Sequence, residues 1–257
     1  MTVSSTLPTP SKVLLVTGAA RGIGAAVARQ AAAQGYAVCV NYLRQADAAQ
    51  AVVEHIRAHG GQAIAVQADV AQESEVLRLF QSVDERLGRL NALVNNAGIL
   101  ATQMPLAQMS VQRIQSVLNT NILGSFLCAR EAVRRMAREH GGQGGSIVNM
   151  SSRAAKLGAP HEYVDYAASK GAIDTLTVGL AKELAAQGIR VNAVAPGIID
   201  TDIHASGGEP GRVQRLSASL PMGRGGSADE VAHAVLWLLS DQASYTSGAI
   251  VDVGGAR

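Results

Sequence analysis

Two residues one helical turn apart carry the most chemistry in this sequence. Tyr166 and Lys170 stand at i and i+4 in Tyr166-Ala167-Ala168-Ser169-Lys170, a spacing that puts both side chains on one face of a helix. A phenol has a pKa near ~10 and is a poor proton donor or acceptor at neutral pH. An ammonium beside it favours the phenolate. Moving the pKa to about 7 takes roughly 4 kcal/mol, which one close charge at intermediate dielectric can supply. In a cleft such a pair moves protons. On an outer helix face it is two solvated side chains, and the pair taken alone favours that second reading.

A second constellation stands nearer the N-terminus. Thr17-Gly18-Ala19-Ala20-Arg21-Gly22-Ile23-Gly24 follows an apolar run and opens an Ala-rich stretch. Glycines let the backbone approach a pyrophosphate, and the free N–H groups and partial positive charge of a helix N-terminus attract it. The spacing is GxxxGxG, not GxGxxG. Its place between a first strand and a first helix is nonetheless what a dinucleotide-binding turn requires, with Gly18, Ala20, Arg21, Gly22, Ile23 and Gly24 as candidate contacts. The second apolar run ends in Asn41-Tyr42-Leu43-Arg44. An acid there would bond the ribose 2′-OH of NAD and repel a 2′-phosphate. With Asn41 and Tyr42 in its place and two cations, Arg21 and Arg44, NADP(H) is favoured and NAD(H) remains possible. Asp69-Val70 follows the third run, where the carboxylate either accepts from an adenine amino group or N-caps the next helix. Asn95-Asn96-Ala97-Gly98 closes the fourth, where Asn96, Ala97 and Gly98 either let a cofactor lie against the strand ends or simply form a turn.

Elements must bring these residues together. Short runs rich in Val, Ile or Leu at 13–16, 37–40, 63–66, 90–94, 146–149, 190–195 and 249–253 predict strands buried on both faces. Helix-length stretches lie between them at 22–34, 46–59, 72–87, 110–140 (one long helix or two), 163–186 and 227–239. The first three and the fifth end at glycines, a C-cap signal, and the last opens with the capping-box pattern Ser227-Ala228-Asp229-Glu230. This alternation predicts an α/β fold: one Rossmann-type doubly wound parallel sheet of about seven strands with helices on both faces. Residues 1–11 are expected to form a flexible tail, and 12–257 one domain.

Composition narrows the function classes. The 257 residues are 47% hydrophobic and 16% charged, enough apolar material for one large core. A net charge of +2 without a Lys/Arg block gives no argument for nucleic acid. No apolar run approaches the ~20 residues of a membrane span, and no signal peptide is apparent, so a cytoplasmic protein is expected. Cys39 and Cys128 sit in apolar stretches as buried free thiols. His55 and His59 have helical metal-ligand spacing but no third ligand, so no metal is expected. Glu162 and Asp165 read as helix N-terminal charges or substrate-loop residues, while Arg153, His161, Glu162 and His204 fall where substrate contacts would lie.

The ordered set of motifs resembles the short-chain dehydrogenase/reductase family over residues 12–255. Five elements match in sequence: the 17–24 turn, Asn95 to Gly98, an Asn in the long helix, a Ser after strand five, and Tyr166 with Lys170. The resemblance implies an enzyme that transfers hydride between NADP(H) and a carbonyl or secondary alcohol. It implies Tyr166 as general acid/base and Lys170 as the residue that holds the nicotinamide ribose and lowers the phenol's pKa. Ser152 would position the substrate carbonyl, with Ser151 the competing assignment, and Asn121 would hold a water in the proton relay to Lys170. Pro196, Gly197, Ile198 and Thr201 would meet the nicotinamide carboxamide. The loop over 198–224, with His204, Ser206, Glu209, Arg212 and Arg215, would line the pocket for a small, polar or anionic substrate. A homotetramer is implied, assembled through the helices over 110–140 and 163–186 and through the last strand. A non-catalytic NADP(H) sensor on the same fold is the alternative. An enoyl reductase would space its Tyr and Lys more widely.

Overall fold

The computed structural model describes residues 12–257, so the expected tail over 1–11 lies outside the described residues. Seven strands form one parallel sheet: β1 (Val13–Val16), β2 (Ala37–Tyr42), β3 (Ala63–Gln67), β4 (Leu90–Asn95), β5 (Gly145–Met150), β6 (Ile189–Pro196) and β7 (Ile250–Val253). Their spatial order is β3-β2-β1-β4-β5-β6-β7. Ten α-helices connect them: α1 (Gly22–Ala33), α2 (Ala46–Ala58), α3 (Glu73–Arg86), α4 (Val111–Leu118), α5 (Gly124–Met136), α6 (Ala154–Leu157), α7 (Val164–Leu184), α8 (Ile203–Ser206), α9 (Arg212–Ser217) and α10 (Ala228–Leu239).

Alternating strand side chains divide the core into two layers. Leu14, Val16, Val38 and Val40 pack with α1, α2 and α10 on one face. Val13, Leu15, Cys39 and Ile147 pack with α3, α5 and α7 on the other. Five buried alanines along α1, Ala25 to Ala32, let that helix lie close to the sheet. The capping box forms as the sequence predicts: Ser227 accepts from the Glu230 N–H while Glu230 accepts from the Ser227 N–H at 2.8 Å. Both cysteines are free and buried, and burial pushes each thiol up to about 12.

The stretch over 110–140 resolves into α4, one wide π turn at Asn119–Leu123, and α5. A π turn admits one extra residue into a continuing helix and commonly marks a functional position. Asn121 sits inside it, fully buried. Succession then reverses direction at β1: the chain winds outward through β2 and β3, then returns to lay β4 on the other side of β1. At such a switch point the connections leave in opposite directions and open a crevice beyond the strand ends.

Candidate active site

The crevice holds two adjoining cavities, of about 730 and about 450 Å³, which share Ile23, Asn96, Gly98, Thr201 and Ile203. The larger is lined by the glycine turn, and three strands brace that turn. Thr17 Oγ1 accepts from the N–H groups of Asn96 and Ala97 at 3.0 and 2.9 Å. Asn96 Nδ2 donates to the carbonyls of Thr17 and Gly18 at 2.9 and 3.0 Å. Asn41 Oδ1 accepts from the Gly18 N–H at 3.1 Å, and its Nδ2 donates to the carbonyls of Val66 and Ala68. Gly18 takes φ +60°, and a Cβ there would lie 2.9 Å from Ala97 Cα. The turn is therefore pulled tight against β4.

The residues present suit a dinucleotide. The N-terminus of α1 has no side-chain cap and no acid in its first turn, so its orphan N–H groups and positive end remain available to an anion. Gly18, Ala20, Arg21, Gly22, Ile23, Gly24, Asn41, Tyr42, Arg44, Asp69, Val70, Asn96, Ala97, Gly98 and Thr201 all line this cavity. Arg44 is exposed. Arg21 instead reaches across the crevice, donating to Ser206 Oγ at 3.3 Å and pairing with Asp202 at 3.9 Å. Asn41 has its amide committed to backbone, so it braces the turn. Asp69 does not cap α3, whose N-cap position is Gln72 without a side-chain bond; its Oδ1 accepts from the Ala71 N–H at 2.9 Å.

The smaller cavity brings Ser152, Tyr166, Lys170, Pro196, Gly197, Ile198 and Thr201 together. Burial pushes the Tyr166 phenol up to about 12, and Ser152 on the same cavity wall draws it part of the way back. Lys170 stands 5.5 Å over the centre of the Tyr166 ring and donates to the Met150 carbonyl at 2.7 Å. Burial lowers its own pKa to about 8, with Asp174 opposing. The ammonium faces the ring. Ser151 is buried at the end of β5, where its hydroxyl donates to the Lys170 carbonyl at 3.4 Å. Both serines line the cavity, and Ser152 is the one that bears on the phenol's ionisation.

Asn121 closes the group from behind. Its Oδ1 accepts from the Ile99 N–H at 2.8 Å, and its Nδ2 donates to the Ile99 carbonyl and to Ser169 Oγ. A Cβ on Gly98 would sit 3.4 Å from Asn121 Oδ1 and 3.6 Å from Lys170 Nζ. The missing side chain at Gly98 keeps that junction open.

A clasp that sequence reasoning did not assemble forms the cavity's outer wall. Arg212, from α9, donates to Glu162 at 2.6 Å and Glu209 at 2.9 Å. It lies 5.4 Å over the ring of Tyr163, which meets Tyr166 edge-on at 5.9 Å. Glu209 also accepts from Gln103 and Arg215. His204 is buried with Nε2 on the Ile199 carbonyl at 2.9 Å. Arg153 pairs with Asp252 at 2.5 Å. Asp165 pairs with Arg113 of α4, and Glu162 with Arg212, so neither acid is spare. His55 and His59 stack their rings 4.4 Å apart. Among the described residues no group of three His, Cys, Asp or Glu is placed to hold a metal, and no helix is long and apolar enough to cross a membrane.

A family model described as "Enoyl-(Acyl carrier protein) reductase" matches residues 18–255. The uncharacterized oxidoreductase YgfF of Escherichia coli (strain K12) is 56% identical over 245 residues, 95% of this chain and 99% of that protein. The chain belongs to the short-chain dehydrogenase/reductase family. This short-chain dehydrogenase/reductase is also 40% identical over 245 residues to the 3-oxoacyl-[acyl-carrier-protein] reductase FabG of Staphylococcus aureus, covering 95% of this chain and 97% of FabG. A short chain dehydrogenase from Burkholderia cenocepacia J2315, solved in complex with NADP, superposes with a TM-score of 0.87 at 35% identity, over 95% of this chain and 96% of that one. Membership makes the protein an NAD(P)-dependent oxidoreductase of CH–OH and C=O groups.

Proposed function

We propose that this protein reduces a small carbonyl compound with NADP(H), Tyr166 supplying the proton. The observation that carries the reading is the convergence of Ser152, Tyr166 and Lys170 on one cavity that opens into the crevice of the glycine turn. The glycine turn and the α1 N-terminus would hold the pyrophosphate, Arg44 a 2′-phosphate, Pro196 to Ile198 with Thr201 the nicotinamide end, and Lys170 its ribose. When bound, the cofactor supplies hydride to the carbonyl carbon.

The side chains do the rest. Ser152 donates to the carbonyl oxygen as negative charge develops there, and Tyr166 gives that oxygen its proton. Burial keeps the phenol protonated at neutral pH, the form that donates. Asn121 and Lys170 adjoin at Gly98, where a relay could refill the phenol. The apolar walls, Leu100, Leu157, Ala159 and Ile203, fit a small substrate, and the Arg212 clasp supplies its polar end.

The test follows absorbance at 340 nm with NADPH and then NADH across a carbonyl panel, using wild type and Tyr166→Phe. Turnover that falls by about 100-fold or more in the variant, with dinucleotide binding retained, supports the reading. Turnover kept within a few-fold sinks it, and binding without turnover by either protein favours a sensor. A carbon–carbon double bond as acceptor is the second reading, favoured by the description of the matching family model. The four-residue step from Tyr166 to Lys170 speaks for the carbonyl, and enoyl thioesters in the panel separate the two.

The proposal extends to a cytoplasmic homotetramer. Leu123 in the π turn and Phe126 in α5 are 43% and 49% exposed, and along α7 a Cβ on Gly171 or Gly179 would meet nothing within 4 Å. Such faces suit helix packing between copies. Light scattering at micromolar concentration reads the mass directly, and a monomer contradicts this part.

A further inference from the structure

The helix that carries Tyr166 and Lys170 begins without a conventional cap. Its N-cap position is Tyr163, whose side chain accepts no backbone N–H. The segment leading into it contains Ala159 at φ 45° and His161 at φ 63°, left-handed backbone that L-residues adopt at a cost. Something else must fix where α7 starts.

Asp165 is placed to do so. Its Oδ1 accepts from the N–H of Tyr166 at 2.9 Å, one of the first-turn donors that a helix leaves unpaired. The same carboxylate is gripped side-on by one edge of the Arg113 guanidinium: Nε donates to Oδ2 at 2.9 Å and Nη2 to Oδ1 at 3.3 Å. Arg113 also donates to the Thr102 carbonyl in the segment after β4. The pair is shut from solvent, with side chains 10% and 2% exposed. A two-pronged bond of this kind fixes direction as well as distance. It ties α7 to α4, the helix that runs on into the π turn holding Asn121.

We infer that Arg113 and Asp165 are positioning residues that set the Tyr166 phenol against Ser152. This rests on Tyr166 being the proton donor. Neither residue lines the cavities of the crevice, so both act through the helix.

The test uses Asp165→Asn, Arg113→Met, their double variant and Arg113→Lys, with kcat and dinucleotide KM measured on a carbonyl that wild type reduces. Each of the first two lowers kcat about tenfold or more while dinucleotide KM stays within about twofold, because the loss is one of alignment. The double variant is no worse than the poorer single. Arg113→Lys, which keeps the charge and folds if the larger changes do not, recovers part of the rate. A crystal structure of Asp165→Asn shows the Tyr166 hydroxyl drawn away from Ser152. Unchanged kcat in the singles, losses that multiply in the double variant, or an unmoved phenol overturns the inference. If wild type reduces no carbonyl, the proposed function fails by itself, and the crystallographic comparison still decides the positioning role.

Discussion

Replacing Gly24 by Ala tests the bracing of the glycine turn most directly. A Cβ there would lie 2.5 Å from Asn96 Nδ2, 2.7 Å from the Gly18 carbonyl oxygen and 2.9 Å from Ala19 Cα. The Asn96 amide can swing away, but it then gives up its bonds to Thr17 and Gly18, about 1 kcal/mol each. The other two neighbours are backbone of the turn itself and yield only if the turn opens. Overpacking of this kind costs about 1–3 kcal/mol, so the sum is about 3–5 kcal/mol. For a chain of this size that lowers Tm by roughly 10 °C. The opened turn also loses its approach to pyrophosphate, raising the dinucleotide Kd about tenfold or more. Thermal unfolding by circular dichroism and fluorescence titration with NADPH read the two effects. A variant within about 2 °C of wild type in Tm and about twofold in Kd would refute the claim that Asn96 and the turn are locked together.

Two further outcomes follow from charge placement. If Arg44 meets only the 2′-phosphate, as proposed, Arg44→Ala weakens NADPH binding about tenfold while NADH binding stays within about twofold; equal losses for both cofactors would remove Arg44 from that role. Lys170 titrates at about 8 in the protein without cofactor, visible by NMR of the labelled amine. Burial makes its charged form unfavourable in the fold, so wild type gains stability relative to Lys170→Met as pH rises from about 8 toward the unfolded lysine value of about 10.4; an ordinary lysine titration would refute the burial argument.

Legibility in the sequence followed the range of the physics. The 13–16 run coincides with β1, and the other strands form within two residues of their expected bounds, because a strand covered on both faces must be apolar throughout. Gly35 and Gly188 stop their helices in left-handed backbone, and Ser227 caps its own; these are local rules. The π turn left no trace, since one extra residue in a helix does not alter the types around it. The Arg113–Asp165 and Arg212–Glu162 pairs join residues about 50 positions apart, and no spacing rule links them. The choice between Ser151 and Ser152 turns on which side of β5 each hydroxyl leaves, a question that the sequence leaves open by one residue. The phenol's surroundings were out of reach for a related reason. Spacing places Lys170 near Tyr166, but only the fold shows that the ammonium faces the ring and that the hydroxyl is buried.

The strand order also governs how the protein is made. β1 emerges first from a ribosome, yet its second neighbour is β4, with Val16 opposite Val94. A nascent chain therefore carries the glycine turn with nothing against which to tighten it until β4, which ends at Asn95, has been made. Once β4 has docked, it is an open parallel edge until β5 arrives, the kind of surface on which unfinished chains stick to one another. The far wall of the crevice, Thr201 to Ile203, comes later still. A nicotinamide cofactor held by the whole crevice can therefore stabilise only a chain extended past Ile203.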